Sequence, residues 1–382
     1  MEDFKELHNI TIVNQVCGPM CIDIANAFQK SGFRTVLITG EVQPASIMLH
    51  EDIIIYRGIK YKRNKPLTRI LTWCYFTLQV VFLVLFRQQK GRLLLVTNPP
   101  LIPFFGYFFK KLFQRSYDVI VYDIYPNVLV NGGYLSTRSI IFRIWAHLNV
   151  KALRAADRVF TLSERMRDTL TTKDESSKIE VVPCWVDTNG IKPIIPKEDN
   201  WFASKYAQTG KFTVLYSGNM GESHDLKSIL KAALDLKGDS KIHFLLIGEG
   251  TKKRRVEKYV EAHHLENVTI LPFQDASVLP YSLACGDIGI VTTSPGMGHL
   301  LVPSKTFYYL AGGNYVLSIS DPNSELEELF KESEVGKNIT HAEKWQLSSY
   351  IKDLCDRSCN EQKERSFEEA LQYGPDLAFH FI

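Results

Sequence analysis

The sequence predicts an α/β protein made of two Rossmann-like domains, each a doubly wound parallel sheet, facing each other across a cleft. Three observations predict it. The chain has 382 residues, more than one hydrophobic core ordinarily serves. Short apolar runs alternate with helix-like segments, stop at a polar, proline-rich stretch over 190–210, and then resume. Glycines follow several of those runs, at the carboxyl ends of strands, which is where sheets of this kind bind ligands.

In the first half, Ile10–Val13 reads as a strand, a loop with Gly18 follows, Asp23–Ser31 reads as a helix and Thr35–Thr39 as the next strand. That order is the unit of a parallel sheet. The runs Ile53–Tyr56, Leu93–Thr97, Val119–Asp123, Val159–Ser163 and Ile179–Pro183 extend it. Residues 190–210 read as a linker. Beyond them, strands are expected at Phe212–Ser217, His243–Ile247, Val268–Leu271, Ile288–Thr292 and Tyr315–Ser318, and helices at Leu226–Leu236 and Lys252–His263. The expected division is 1–190 and 191–365, with a final helix, 366–382, returning to the first domain.

Composition is that of a folded globular protein: 45% hydrophobic and 23% charged residues. The seven cysteines lack the paired spacing of a zinc site and read as reduced thiols. Met1–Asn9 is polar and acidic, unlike a secretory leader, so a cytoplasmic location is expected. The net charge of +3 hides an asymmetry, because Arg57–Arg115 holds 12 basic residues and no acidic one. Within that window, Leu71–Phe86 is a run of uncharged residues too short for a confident membrane span. Leu101–Phe113 interleaves five phenylalanines with Lys110 and Lys111. A buried core helix would explain the first stretch. Both together suit peripheral attachment to an anionic membrane surface. The aromatics cluster in apolar runs, not singly between charges, so no nucleic-acid partner is expected.

Four motifs can carry chemistry. Ser217–Gly221 places glycines after a strand, letting backbone approach a ligand, although a tight turn alone would use the same residues. Gly296–Lys305 runs from a glycine loop into Pro303, Ser304 and Lys305 at a helix start, a place for an anion and best a diphosphate. Leu271–Gln274 offers a flat apolar residue beside free backbone groups, fit for a nucleobase. Asp123, after an N-domain strand, can orient an acceptor hydroxyl or act as a base, or simply cap a helix. The chain has no Asp-x-Asp pair, no phosphate-binding GxxxxGK[ST] loop, no HExxH and no GxSxG. No metal site, cofactor, kinase or serine hydrolase is therefore expected.

The ordered blocks YSGNMGESHDL, FLLIGEG, VTILPFQ, CGDIGIV and VPSKTFYYLAGG, across 212–318, resemble the retaining group-1 glycosyltransferases of the GT-B fold. They are most similar to the branch with colanic-acid and O-antigen enzymes. DIYPN, AADRVFTLS and VVPCWVD in the first half agree more loosely. The resemblance implies sugar transfer from a nucleoside diphosphate, most often UDP, to a lipid-diphosphate-linked glycan held by residues 1–190, without metal and at the inner face of the membrane. It gives Gly218, Asn219, Met220 and Gly221 the phosphate side of the donor. Ser304 and Lys305 take the diphosphate, Phe273 and Gln274 the base, and Glu249 the nucleoside edge. Gly18 belongs to a closing loop, and Lys305 and Asp123 become the catalytic candidates. Two glutamates common in the family fall here at Leu300 and Tyr308, leaving Gly298, His299 and Tyr308 to contact sugar and ribose. A GT-B sugar-nucleotide epimerase or a non-catalytic membrane-tethering subunit would share these features.

Overall fold

A computed structural model describes residues 9–45, 47–62, 66–86, 91–170, 178–222, 224–357 and 360–382. The chain forms two compact units: Met1–Pro183 with Pro375–Ile382, and Cys184–Gly374.

Unit 1 is built on a parallel sheet in the order β5-β3-β1-β6-β7-β8-β9. Its strands are β1 (Asn9–Val13), β3 (Arg34–Thr39), β5 (Ile54–Arg57), β6 (Arg92–Val96), β7 (Tyr117–Val121), β8 (Val159–Thr161) and β9 (Ile179–Val181); β2 (Val16–Cys17) and β4 (Glu41–Val42) form a separate pair. Nearly continuous Val, Ile and Leu make β6 and β7 strands buried on both faces. The main helices are α1 (Pro19–Lys30), α2 (Pro66–Phe86), α3 (Ile102–Phe113) and α4 (Ile140–Ala155). The connections β5→β6, β6→β7 and β7→β8 all run the same way across the sheet. Right-handed crossovers therefore put α2, α3 and α4 on one face and α1, from the opposite step β1→β3, on the other. Asp118 of β7 is shut away from solvent and pairs with Arg92 and Arg158, each at 3.2 Å, which ties β6, β7 and the start of β8. Arg158 also donates to the carbonyl of Phe381. Phe381 is fully buried, its ring 4.6 Å from that of Phe160. Residues 375–382 thus complete this core, whereas the helix Asn360–Ala370 lies in unit 2.

Unit 2 has the parallel order β12-β11-β10-β13-β14-β15. Its strands are β10 (Phe212–Ser217), β11 (Ile242–Ile247), β12 (Val268–Leu271), β13 (Ile288–Thr292), β14 (Tyr315–Ser320) and β15 (Gly336–Thr340). Its principal helices are α5 (Trp201–Lys205), α6 (Leu226–Asp235), α7 (Lys253–Ala262), α8 (Lys305–Ala311) and α9 (Asn360–Ala370).

Residues 190–210 are not a spacer. Phe202 and Ala203 are fully buried, and Asn200 donates to the carbonyl of Tyr281 at 2.8 Å. Lys197 reaches Asp287 at 2.6 Å, and Lys363 of α9 reaches the same carboxylate at 3.0 Å. Burial alone would raise the Asp287 pKa, but the two ammonium groups outweigh it and hold the carboxyl below its ordinary range. The proline- and lysine-rich composition suggested a solvated segment; these distant partners make it part of the unit 2 core.

Candidate functional site

The carboxyl ends of β10, β11 and β13 meet at one small region of unit 2. After β10 the chain turns through Gly218 (φ 144°), and after β11 through Gly248 (φ 152°) and Gly250 (φ 153°). All three lie in backbone space that L side chains rarely enter. The loops also touch backbone to backbone: a Cβ on Gly248 would stand 1.9 Å from the Gly218 carbonyl oxygen, and one on Gly250 2.5 Å from Met220. The Met220 amide donates to the Glu249 carbonyl (2.8 Å), and Lys252 returns a bond to the Met220 carbonyl (2.9 Å).

On the other side of β10, α8 is docked by Tyr309. Its ring lies over Gly289 of β13, where a Cβ would meet it at 2.3 Å. Its hydroxyl accepts the Ser217 amide at 2.7 Å. This brings Lys305, the first residue of α8, to the Gly218 loop, with Nζ 3.6 Å from where a Gly218 Cβ would be. The ammonium sits over the Tyr216 ring, 4.1 Å from its centroid. The residue as a whole is half-buried, but its Nζ is shut off from solvent and has no hydrogen-bond or ion-pair partner among the described residues. Burial alone lowers its pKa from 10.5 to about 7.

His224 lies close by. Its Nδ1 is 2.9 Å from the Thr292 carbonyl oxygen, which assigns the proton to that nitrogen in the neutral ring. Burial first, then the Lys305 charge, pushes its pKa down to about 4, against a smaller upward pull from the Thr292 bond. The ring is therefore neutral near pH 7. Asp225 caps α6 by accepting the Ser228 amide at 3.2 Å and holds Lys344 at the same distance.

The predicted donor residues divide. Gly218, Asn219 and Gly221 form the loop beside Lys305, and Ser304 stands exposed just before it. Met220 does not face a ligand: its side chain is fully buried in the unit 2 core, leaving only its backbone in the loop. Glu249 is paired with Lys253 at 2.5 Å, one helical turn on. Phe273 is 55% exposed after β12, a free apolar face, while the Gln274 amide turns back onto the Pro272 carbonyl. His299 and Tyr308 are half-buried and already partnered. Leu300, where the resemblance placed a glutamate, is buried beside Met297.

The glycine loop departs furthest from expectation. The Gly296 and Gly298 amides, expected to face a phosphate, each donate to one carboxylate, that of Asp321, at 2.9 Å. An internal anion occupies them. Lys305, not the loop backbone, is the group here left without an acceptor among the described residues. In unit 1, Gly18 caps α1 without a side chain, and Asp123 lies half-buried in the turn after β7, already partnered.

Sequence reasoning missed the frame around the ammonium: Tyr216, Tyr309 and His224. The signal was present in the tyrosine before the glycine loop and the histidine after it, both inside the YSGNMGESHDL block. Nothing local tied either to Lys305.

Residues 197–302 match the family described as "Glycosyl transferases group 1". The chain is 24% identical over 325 residues to "Probable glycosyltransferase WbjE" of Pseudomonas aeruginosa, covering 84% of this chain and 80% of that one. It is 29% identical over 180 residues to a protein named as a colanic acid biosynthesis glycosyl transferase, WcaI, of Escherichia coli (strain K12), covering 46% and 44%. In three dimensions it superposes on Anabaena Alr3699/HepE, solved in complex with UDP, with a TM-score of 0.73 over 98% of each chain at 14% identity. That likeness shows the fold: two parallel-sheet α/β units of the GT-B kind, as the motif order predicted.

Proposed function

We propose that the chain is a glycosyltransferase of surface-polysaccharide biosynthesis, moving a sugar from a UDP-sugar to a lipid-diphosphate-linked glycan at the cytoplasmic face of the membrane. One observation carries the reading. The Lys305 ammonium is buried, without a hydrogen-bond or ion-pair partner among the described residues, and framed by glycine backbone and the Tyr216 ring. A buried cation without a counter-ion is unfavourable in the free protein. It is explained if its anion arrives with a substrate, and the resemblance assigns a diphosphate to Lys305. The blocks shared with group 1 transferases and the UDP bound by a protein of the same fold support that choice of donor.

Catalysis follows from where charge develops. As the bond between the sugar and the diphosphate breaks, negative charge grows on the leaving oxygen. Lys305 stabilises that charge more than it stabilises the intact donor. Neutral His224 adds no competing positive charge. Phe273 offers a face for the base, and the role of serving the acceptor hydroxyl falls in this proposal to Asp123. Retention of anomeric configuration and independence of divalent metal belong to the proposal.

A thermal-shift panel of UDP-, GDP-, ADP- and dTDP-sugars tests it. UDP-sugars should raise Tm, and Lys305→Ala should abolish the shift. Donor turnover should continue in EDTA and require a lipid-linked acceptor. A Lys305→Ala protein that binds donor as tightly as its parent refutes the site. Conversion of UDP-sugar to its epimer with no acceptor present refutes the transfer reaction.

A further inference from the structure

Most of the exposed large apolar side chains in the described residues fall on α2, α3 and α4 of unit 1. On α2 the outward row includes Leu71, Tyr75, Leu78 and Phe82, each more than half exposed and spaced as one helical face. The inward face of the same helix, Trp73, Phe76, Val80 and Val84, is buried. A helix on a water-facing surface carries polar residues outside; this one is apolar on both sides. On α4, Ile140 and Ile144 stand 72% and 55% exposed, and on α3 Leu112 is 71% exposed.

By length and composition, Leu67–Phe86 could cross a membrane. Its inner face is fixed in place instead. The Thr72 carbonyl accepts Gln15 Nε2 at 3.1 Å, Gln79 Oε1 accepts the Ile59 amide at 2.9 Å, and Phe76 packs where Gly58 has no Cβ. Helices α2 and α4 are coupled through one aromatic chain: Trp73 meets Tyr125 edge-on at 5.8 Å, and Tyr125 stacks on Trp145 at 6.1 Å. Helix α3 packs on α4. The three outer faces therefore form one layer over one side of the sheet.

The charge of this layer has a single sign. No acidic residue occurs from Arg57 to Arg115, and none from Ile124 to Ala156, where Arg138, Arg143, Lys151 and Arg154 lie. At the far ends of α3 and α4, a pocket of about 470 Å³ is lined by Lys110, Lys111, Arg154 and Lys178, with Asp157 as its one carboxylate.

We propose that the outer face of the α2–α3–α4 layer is a docking surface that seats unit 1 flat on an anionic lipid bilayer. The apolar rows enter the interface between headgroups and acyl chains, and the basic side chains meet lipid phosphates. A second copy of the chain would set like charges against each other across such a contact, which favours lipid as the occupant. The surface gives the membrane location of the proposed function its place in the fold and rests on that part of the reading alone, so its failure and that of the donor site are separable.

The test uses the whole chain without donor or acceptor. Vesicles of phosphatidylglycerol and phosphatidylethanolamine should sediment the wild type, and phosphatidylcholine vesicles should take far less. Rising salt should weaken the capture. Phe82→Glu combined with Ile144→Glu should lower partitioning at least about tenfold, with Tm unchanged. Trp345→Glu, on exposed surface of unit 2, should leave it intact. A polarity-sensitive fluorophore on Cys74, exposed on α2, should shift to the blue on the anionic vesicles, with Cys74→Ser reporting any label elsewhere. Wild type that stays in solution overturns the proposal. So does a double variant that partitions like its parent, a fluorophore that does not shift, or a lipid-free dimer that the double variant dissociates.

Discussion

At the scale of single residues, Lys305 sets the pH behaviour of the donor site. Its pKa falls from 10.5 to about 7 because burial removes water and no hydrogen-bond acceptor or counter-ion among the described residues replaces it. Below about pH 7 both the folded and unfolded chains carry the proton, and the burial cost is fully present. Above it the unfolded chain still holds a proton that the folded one has lost. Donor-free stability should therefore rise with pH between about 7 and 10, at about 1 kcal/mol per unit from this group. Donor affinity should run the opposite way. A bound diphosphate restores the proton, so the affinity for a UDP-sugar should hold steady up to about pH 7 and then fall by up to tenfold per unit. Calorimetric titrations from pH 6 to 9 check this, and Lys305→Met should flatten the profile while weakening binding throughout. The lysine was legible in the sequence because it ends a glycine loop with no acidic neighbour. Its depressed pKa was not, since that depends on burial by residues distant in the sequence; Tyr216, whose ring lies 4.1 Å away, is 89 positions earlier in the chain.

At the scale of elements, the strands of both sheets other than β15 were legible because each is a short apolar run closed by glycine, proline or a polar turn; β15 reads Gly-Lys-Asn-Ile-Thr and holds no such run. Helix α4 was harder, since Ile140, Ile141 and Ile144 face outward and blur the periodicity that marks a buried stripe. The crossing of the two glycine loops was invisible as well. Gly248→Ala would drive a Cβ into the Gly218 carbonyl and should destabilise unit 2 by roughly 3 kcal/mol or more in urea unfolding. Gly238→Ala, with open space around it, should be close to neutral. The Asp321 clamp is a second feature of this kind: it lies 23 residues beyond Gly298 in sequence, yet accepts two loop amides. Asp321→Ala should leave both N–H groups without their acceptor, cost about 1–3 kcal/mol, and speed the exchange of those two amides selectively, as NMR would report.

At the scale of the molecule, the chain enters unit 2 at Cys184 and returns to unit 1 at Pro375. The sequence predicts 366–382 as one helix returning to the first domain; in the structure Pro375–Ile382 belongs to unit 1, with the ring of Phe381 buried in its core. Removing its ring by Phe381→Ala should cost unit 1 about 3–5 kcal/mol. Hydrogen exchange read by mass spectrometry should show the loss in β7, β8 and α1 and leave unit 2 protected. This arrangement also dictates an order of events during synthesis. Phe381 is synthesised after every residue of the second unit, so the place beside Phe160 in the first stays unfilled until that whole intervening stretch has been made.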